Sequence, residues 1–464
     1  LDIQHIPLDL VRHFGGPPLE GRLNAKGMLR RVRGSPQAEL SLNVGALRSP
    51  AWPPQETLSL DGTVRADGNT LRVGVELDGL GPEPTRANLS VPIRFRTDPL
   101  ELAVLQEKPM TGGASLAVSL ERVGTLLDMD IHKIQGLLTG RLAFSGTVHH
   151  PAVNGDVRLD QGRYQHEDLG ILLQDISAVV DGNGDILNLR QFKASDGKKG
   201  TIQGIGEIRL DPEAHFPYEA TLTMDDLSPL HRDDISGNIN GRLSVSGRAE
   251  ETSVKGSLRV RPLRLRLPER LPPNVVPLDV EEIGKGAPPP ARKSPGAASP
   301  VPHRVLLDIS VDFPGMTTLS GWGLESEWQG SLAISGEAPK PVVTGSLHIL
   351  RGHLLFLAKR FRLAQGEVTF YGDVPPDPFV NVLGEMELRD MTAEVRLSGR
   401  ASKLQLSIGS RPERPQDEVL AQILFGRSAT TLSPFQALRL ASILQALSSG
   451  SGGGSSFDVL GKTR

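Results

Sequence analysis

The sequence predicts an all-β chain, a long curled β-sheet forming an elongated apolar groove, with two short helices near the C-terminus. Two observations carry this. Apolar residues recur at every second position over most of the 464 residues, and a short glycine-bracketed strand is written four times. The copies read EGRLNAKG (20–27), TGRLAFSG (139–146), NGRLSVSG (240–247) and QGSLAISG (329–336). Each has two glycines six residues apart and a leucine two residues after the first.

The unit extends past the quoted phrase. Gly146 leads to Gly155, Gly247 to Gly256 and Gly336 to Gly345, while Pro36 stands at that place in the first copy. The starts at Gly21, Gly140, Gly241 and Gly330 are unevenly spaced, as expected of a repeated supersecondary unit carrying loop insertions. Within the units the period is two. Leu142 and Phe144 alternate with Arg141, Ala143 and Ser145, and Val157 and Leu159 with Asp156 and Arg158. The pairs Leu243/Val245, Leu332/Ile334, Leu347/Ile349, Val395/Leu397 and Leu404/Leu406 repeat the pattern. Strict alternation marks strands with one apolar and one polar face. Turn signals such as DGNGD and SDGKKG separate them.

Taken in order, residues 1–267 read as repeated β units. Residues 268–303 hold ten prolines and read as a disordered or polyproline-like insertion. Residues 304–415 return to β, 416–448 are helical, and 449–464 are a Gly/Ser tether with the start of a tail. The first helix, QDEVLAQILFG, sets Val419, Leu420, Ile423 and Leu424 on one face and stops at Gly426. The second opens with Ser433 as N-cap, Pro434 at its first position and Gln436 completing a capping box. Its expected stripe is Phe435, Leu438, Ile443, Leu444 and Leu447.

Composition narrows the function. A net charge of −3 gives no basic footprint for nucleic acid, and 4% aromatics is too few for a base-stacking platform. The absence of cysteine removes disulfides and thiolate chemistry. DGNGD lacks the glycine and bidentate glutamate of a calcium loop, because Ile186 and Phe192 stand at those places, and reads as a hairpin turn. No nucleophile elbow, phosphate loop or zinc-protease spacing occurs. We expect no enzyme, no metal and no cofactor. The opening LDIQHIPLDL carries no leader, and the chain reads as a fragment of something longer.

Helices are too few to cover so many one-faced strands. The 51 glycines favour a sheet that curls so its apolar face lines an interior. The expected lining is Leu142, Phe144, Val157, Leu159, Leu243, Val245, Leu332, Ile334, Leu347, Ile349, Val395, Leu397, Leu404 and Leu406. Such a lining suits acyl chains, since burying about 16 methylenes is worth roughly 13 kcal/mol. In RVRPLRLRLPER, Arg259, Arg261, Arg264 and Arg266 alternate with aliphatic residues and slip register at Pro262. This stretch reads as an edge strand guarded by charge, or as a rim that meets phosphate headgroups. Two further classes stay open: a scaffold or chaperone that offers sheet edges to other proteins by β-augmentation, and a β-repeat adhesin.

Residues 366–426 run GEVTFYGDVPPDPFVNV, VRLSGRASKLQLSIGSRP and QDEVLAQILFG, with FDVLGKTR after the Gly/Ser tract. In that order they resemble the C-terminal part of the TamB family of AsmA-like bridge proteins. The resemblance implies a β-taco groove, an inner-membrane anchor upstream and an outer-membrane barrel partner of TamA or BamA type. It also implies a periplasmic place between the two membranes, and phospholipid movement coupled to outer-membrane protein assembly.

Overall fold

The computed structural model describes residues 2–9, 19–32, 35–49, 52–53, 55–97, 100–127, 129, 131–267 and 303–449. The proline-rich stretch 268–302 and the Gly/Ser tether with its tail, from residue 450, lie outside the described residues. Of those described, 70% are strand and 9% helix.

The strands are β1 Asp2–Pro7, β2 Glu20–Val32, β3 Ser35–Arg48, β4 Leu58–Asp67, β5 Thr70–Asp78, β6 Thr85–Thr97, β7 Leu100–Val104 and β8 Thr111–Ser119. Helix α1, Leu120–Leu126, precedes β9 His132–Gly146, β10 Pro151–His166, β11 Ile171–Gly184, β12 Ile186–Ser195, β13 Thr201–Arg209 and β14 Tyr218–Leu227. Then follow β15 Ile235–Arg248, β16 Glu251–Arg266, β17 Arg304–Gly321, β18 Leu324–Glu337, β19 Lys340–Phe356 and β20 Lys359–Tyr371. The chain continues through β21 Phe379–Glu387, β22 Thr392–Arg400, β23 Lys403–Arg411, α2 Gln416–Phe425 and α3 Pro434–Ser449. They fall into two compact units, residues 1–261 with 306–312 and residues 262–305 with 313–464.

In the first unit successive strands pair antiparallel, so each is bonded to the one before and the one after. β6 is the exception. Its Arg86–Ser90 half pairs with β8 and its Ile93–Thr97 half pairs with β7. Pro92, which has no N–H to donate, sits where the two halves part. Beyond it the Ile93 amide donates to the Asn69 carbonyl at 2.8 Å, carrying β6 across the β4–β5 turn. Ile93 and Phe95 are thereby buried with Ala66, beside Ala38 and Leu71.

In the second unit β18 to β23 form another antiparallel meander. β16 and β17 differ. The Thr318 and Ser320 hydroxyls donate to the carbonyls of Leu263 and Leu265 at 3.3 and 3.4 Å. The Leu267 amide donates back to the Ser320 carbonyl at 2.8 Å. Partner numbers rise together along both strands, which is parallel pairing. β16 is therefore not an edge strand. In the first unit it also lies against β15, where Gly256 abuts Leu243 and its carbonyl accepts from the Ser310 hydroxyl of β17. The arginines of this strand need another explanation than edge protection.

The two C-terminal helices form as their sequences predict. Gly426, at φ 65°, ends α2 and returns its amide to the Gln422 carbonyl at 3.0 Å. At α3 the capping box closes both ways. The Ser433 amide donates to Gln436 Oε1 at 3.0 Å, and the Gln436 amide to Ser433 Oγ at 3.4 Å. The stripe of α3 is corrected. Leu440 is its buried anchor, with Ile443 and Leu444 beside it, while Phe435 and Leu438 are 75% and 72% exposed. The side chain of Leu447 lies outside the described set. Helix α1 is not anticipated by periodicity, since seven residues span barely two turns.

Candidate functional site

Residues directly opposite each other in an antiparallel ladder share a face, so the register shows what each face is made of. In the first unit one row runs Leu42, Gly62, Val75, Ala87, Ala114, Leu142, Gly155, Gly182, Leu187, Ile208, Tyr218, Gly247. The next contains Gly140, Val157, Val180, Leu189, Gly206, Ala220 and Val245. A third holds Leu159, Ala178, Phe192, Gly204, Leu222 and Leu243. Phe144 faces Val153 and Gly112 on the same side.

Shifting by one residue gives the other face. There the row reads Asp61, Glu76, Arg86, Ser115, Arg141, Asp156, Asp181, Asn188, Glu207, Glu219, Ser246. Cross-strand ion pairs tie it together. Arg86 Nη2 meets Glu76 at 2.8 Å and holds that carboxyl below its ordinary pKa. Arg190, bonded to Asp181, does the same there, so DGNGD is the end of a hairpin.

The second unit repeats the division. Gly330, Leu347, Val368, Val380, Gly399 and Leu404 make one apolar row. Leu332, Gly345 and Phe370 make another, Ile334 pairs with Val343, and Gly366, Val382, Leu397 and Leu406 line up beyond them. Trp328 and Ile349 pair across β18 and β19 and belong to the cluster of Leu363, Val382 and Leu397.

The glycine-bracketed repeat now has a geometric meaning. Its glycine and leucine positions interlock across a hairpin: Gly330 faces Leu347 while Leu332 faces Gly345, and Gly140 faces Val157 while Leu142 faces Gly155. Each aliphatic side chain leans over the bare backbone of the partner strand. Gly330 (φ 153°) and Gly345 (φ 124°) hold dihedrals that other residues rarely adopt, and a Cβ on either would run into the facing carbonyl oxygen.

Every residue expected to line the groove lies on these apolar faces, six in the first unit and eight in the second. All are partly buried except Val395, which is 1% exposed. The alternate residues Arg141, Arg158, Arg242, Ser331, His348, Arg396 and Gln405 are exposed. Partial burial follows from the lack of a second sheet on the face among the described strands, which contact mainly their ladder neighbours.

Two helices do touch apolar residues. In the first unit Gly124 of α1 presses against Ile134 of β9. In the second, Val419, Leu420, Ala421 and Ile423 of α2 are 0–1% exposed, in one cluster with Phe356, Phe361, Ala393 and Val395 and beside Leu406. At Val395 the space is thus filled by the protein's own helix. Phe356 and Phe361 escape a period-two reading because bulges in β19 and β20 reset the alternation around them, whereas Trp328 stays in phase with Leu332 and Ile334 on β18.

Arg259, Arg261, Arg264 and Arg266 are all exposed, alternating with partly buried Leu258, Val260, Leu263 and Leu265. They stand on the polar face. Arg259 pairs with Asp312 at 3.5 Å. Among the described residues no three His, Cys, Asp or Glu side chains gather as a metal site would need. No described helix is long and apolar enough to cross a membrane.

In each unit a single layer of antiparallel strands, with a glycine-and-aliphatic face and a polar, ion-paired face, defines the class. The TamB C-terminal domain model matches residues 190–464, more than half of the sequence. The chain belongs to the TamB family. It is 20% identical over 313 residues to the translocation and assembly module subunit TamB of Haemophilus influenzae (strain ATCC 51907 / DSM 11121 / KW20 / Rd). That match covers 64% of this chain and 23% of the relative, so the chain spans about a quarter of that protein's length.

Proposed function

We propose that the chain is part of a non-enzymatic conduit of the bacterial envelope, carrying phospholipid between inner and outer membranes. Acyl chains lie on the apolar faces while headgroups stay in water. The observation that carries this reading is the row structure, with lines of glycine, aliphatic and a few aromatic residues on a face that α2 covers only in part. Burial on such a lining is non-directional, so an acyl chain moves along it without losing specific bonds. At about 0.8 kcal/mol per methylene the face holds a chain while each single step stays small. We place the working protein in the periplasm, anchored in the inner membrane upstream of this chain and partnered by an outer-membrane barrel of TamA or BamA type.

The test is Leu332→Asp with Leu347→Asp in the full-length protein. Two charges on the lining are expected to abolish phospholipid movement between the membranes while leaving the β-sheet circular dichroism intact. Unimpaired movement would refute the conduit. A second reading, a scaffold for outer-membrane protein insertion, is supported by the assembly role in the relative's name. For that role backbone bonding at a sheet edge matters, so prolines in β23, which pairs with β22 alone among the described strands, should then impair assembly and lining charges should not.

A further inference from the structure

We propose that α3 of the second unit is a membrane-contact element, whose outward face enters the interfacial layer of a phospholipid bilayer with anionic headgroups. The helix has two apolar sides. One is used within the fold: Leu440 is buried, and Ile443 and Leu444 pack on the cluster that holds α2, Phe361 and Val395. At about 100° per residue, Leu438 lies about 160° around the helix from Leu440, and Phe435 about 140°. Both point away from that cluster. At 75% and 72% exposed, Phe435 and Leu438 are more open to solvent than any other large apolar side chain among the described residues. Ala441, next to them on the helix surface, is exposed as well. A helix facing only water turns polar residues to that side.

Charge selects the occupant. From Val419 to Gln445 the charged side chains are Arg427 and Arg439, both exposed, and no carboxylate stands among them. Arg439 is one turn past Phe435, so its stem can lie along the apolar side while the guanidinium meets a phosphate. Phe and Leu beside arginine, with no acid, is the composition of a helix that lies in a bilayer interface. The capping box at Ser433 and Gln436 closes the first turn, so Phe435 is already held in a helix before any membrane is met.

Position gives the contact a use. Leu406 and Ile408 of β23, the last described strand, pack on the same cluster as Leu440. A bilayer against the outer side of α3 therefore lies one helix diameter, about 10 Å, from the apolar lining. That bearing on where acyl chains enter or leave rests on the conduit reading. The membrane contact itself does not.

The chain has no cysteine, so one thiol-linked, polarity-sensitive fluorophore can be placed at Leu438→Cys, with Gln405→Cys on the polar face of β23 as control. On vesicles of phosphatidylethanolamine and phosphatidylglycerol, the label at Leu438→Cys should brighten and be quenched by bromines on the acyl chains, and the control should do neither. Phe435→Gln with Leu438→Gln should lower affinity for these vesicles at least about ten-fold. Arg427→Gln with Arg439→Gln should lower it at least about five-fold. All four side chains are exposed, so the circular dichroism is expected to stay unchanged. Leu332→Asp with Leu347→Asp alters the lining and leaves α3 untouched, and should keep vesicle affinity within about two-fold. Vesicle binding that the Phe435 and Leu438 changes leave intact, or a label at Leu438→Cys that acyl bromines do not quench, overturns the proposal. If those changes spare vesicle binding but abolish capture of an outer-membrane barrel, the face belongs to a protein and the proposal is equally overturned. The separate lining variant tells failure of this proposal apart from failure of the conduit.

Discussion

Gly330 and Gly345 are where a single methyl group decides the local geometry. Each holds a dihedral favoured only by glycine while a leucine of the partner strand leans over it. Gly330→Ala should therefore destabilise the second unit by about 1–3 kcal/mol, read from the urea midpoint. Gly409→Ala is the control. A Cβ there meets nothing within 4 Å, and the change should stay within about 0.5 kcal/mol. Equal losses at both positions would contradict the interlock. Glu418 offers a pH test. Its carboxylate accepts the Ala429 amide at 2.7 Å and the Ser428 hydroxyl at 3.0 Å, and the amide bond above all holds its pKa below the ordinary value. A lowered folded-state pKa contributes stability above the unfolded pKa that is lost as pH falls through the folded one. Glu418→Gln should cost about 1 kcal/mol at neutral pH and nothing once the carboxyl is protonated, in the acid range below its ordinary pKa. The repeat glycines were legible in the sequence as a spacing. Their role was not, because facing partners 13 or 17 residues apart appear only once register is known.

At the scale of elements, α2 lies in the apolar space of the second unit instead of extending away from it. Its anchors are the residues that helical periodicity marked, because a short amphipathic helix has one face to bury. Leu420→Ala should destabilise by about 2–5 kcal/mol, as for a fully buried leucine, and raise binding of a fluorescent fatty acid by uncovering Val395 and Leu406. Destabilisation without added binding would mean that α2 shields nothing a lipid can use. Helix α3 was legible in its cap but not in its face. Ser433 and Gln436 act locally, whereas the choice of Leu440 over Phe435 depends on which side meets α2, and periodicity carries no such information. Likewise the Pro92 bend of β6 and the parallel entry of β17 depend on partners far away in sequence.

At the scale of the molecule, alternation is what the sequence conveys best. Once Leu142, Val157 and Leu243 were read as one-faced, the division into an apolar and a salt-bridged face in each unit followed. The burial of Val395 under α2 and the parallel pairing of β16 with β17 are tertiary facts that no local pattern contains. The account rests on the apolar face being open to acyl chains, and neighbouring positions of one strand test it directly. A photo-crosslinker placed at Leu332 should capture phospholipid in the cell envelope, while the same group at Ser331, one residue along and on the opposite face, should capture none. Equal labelling at the two positions, or labelling at Ser331 alone, would contradict it.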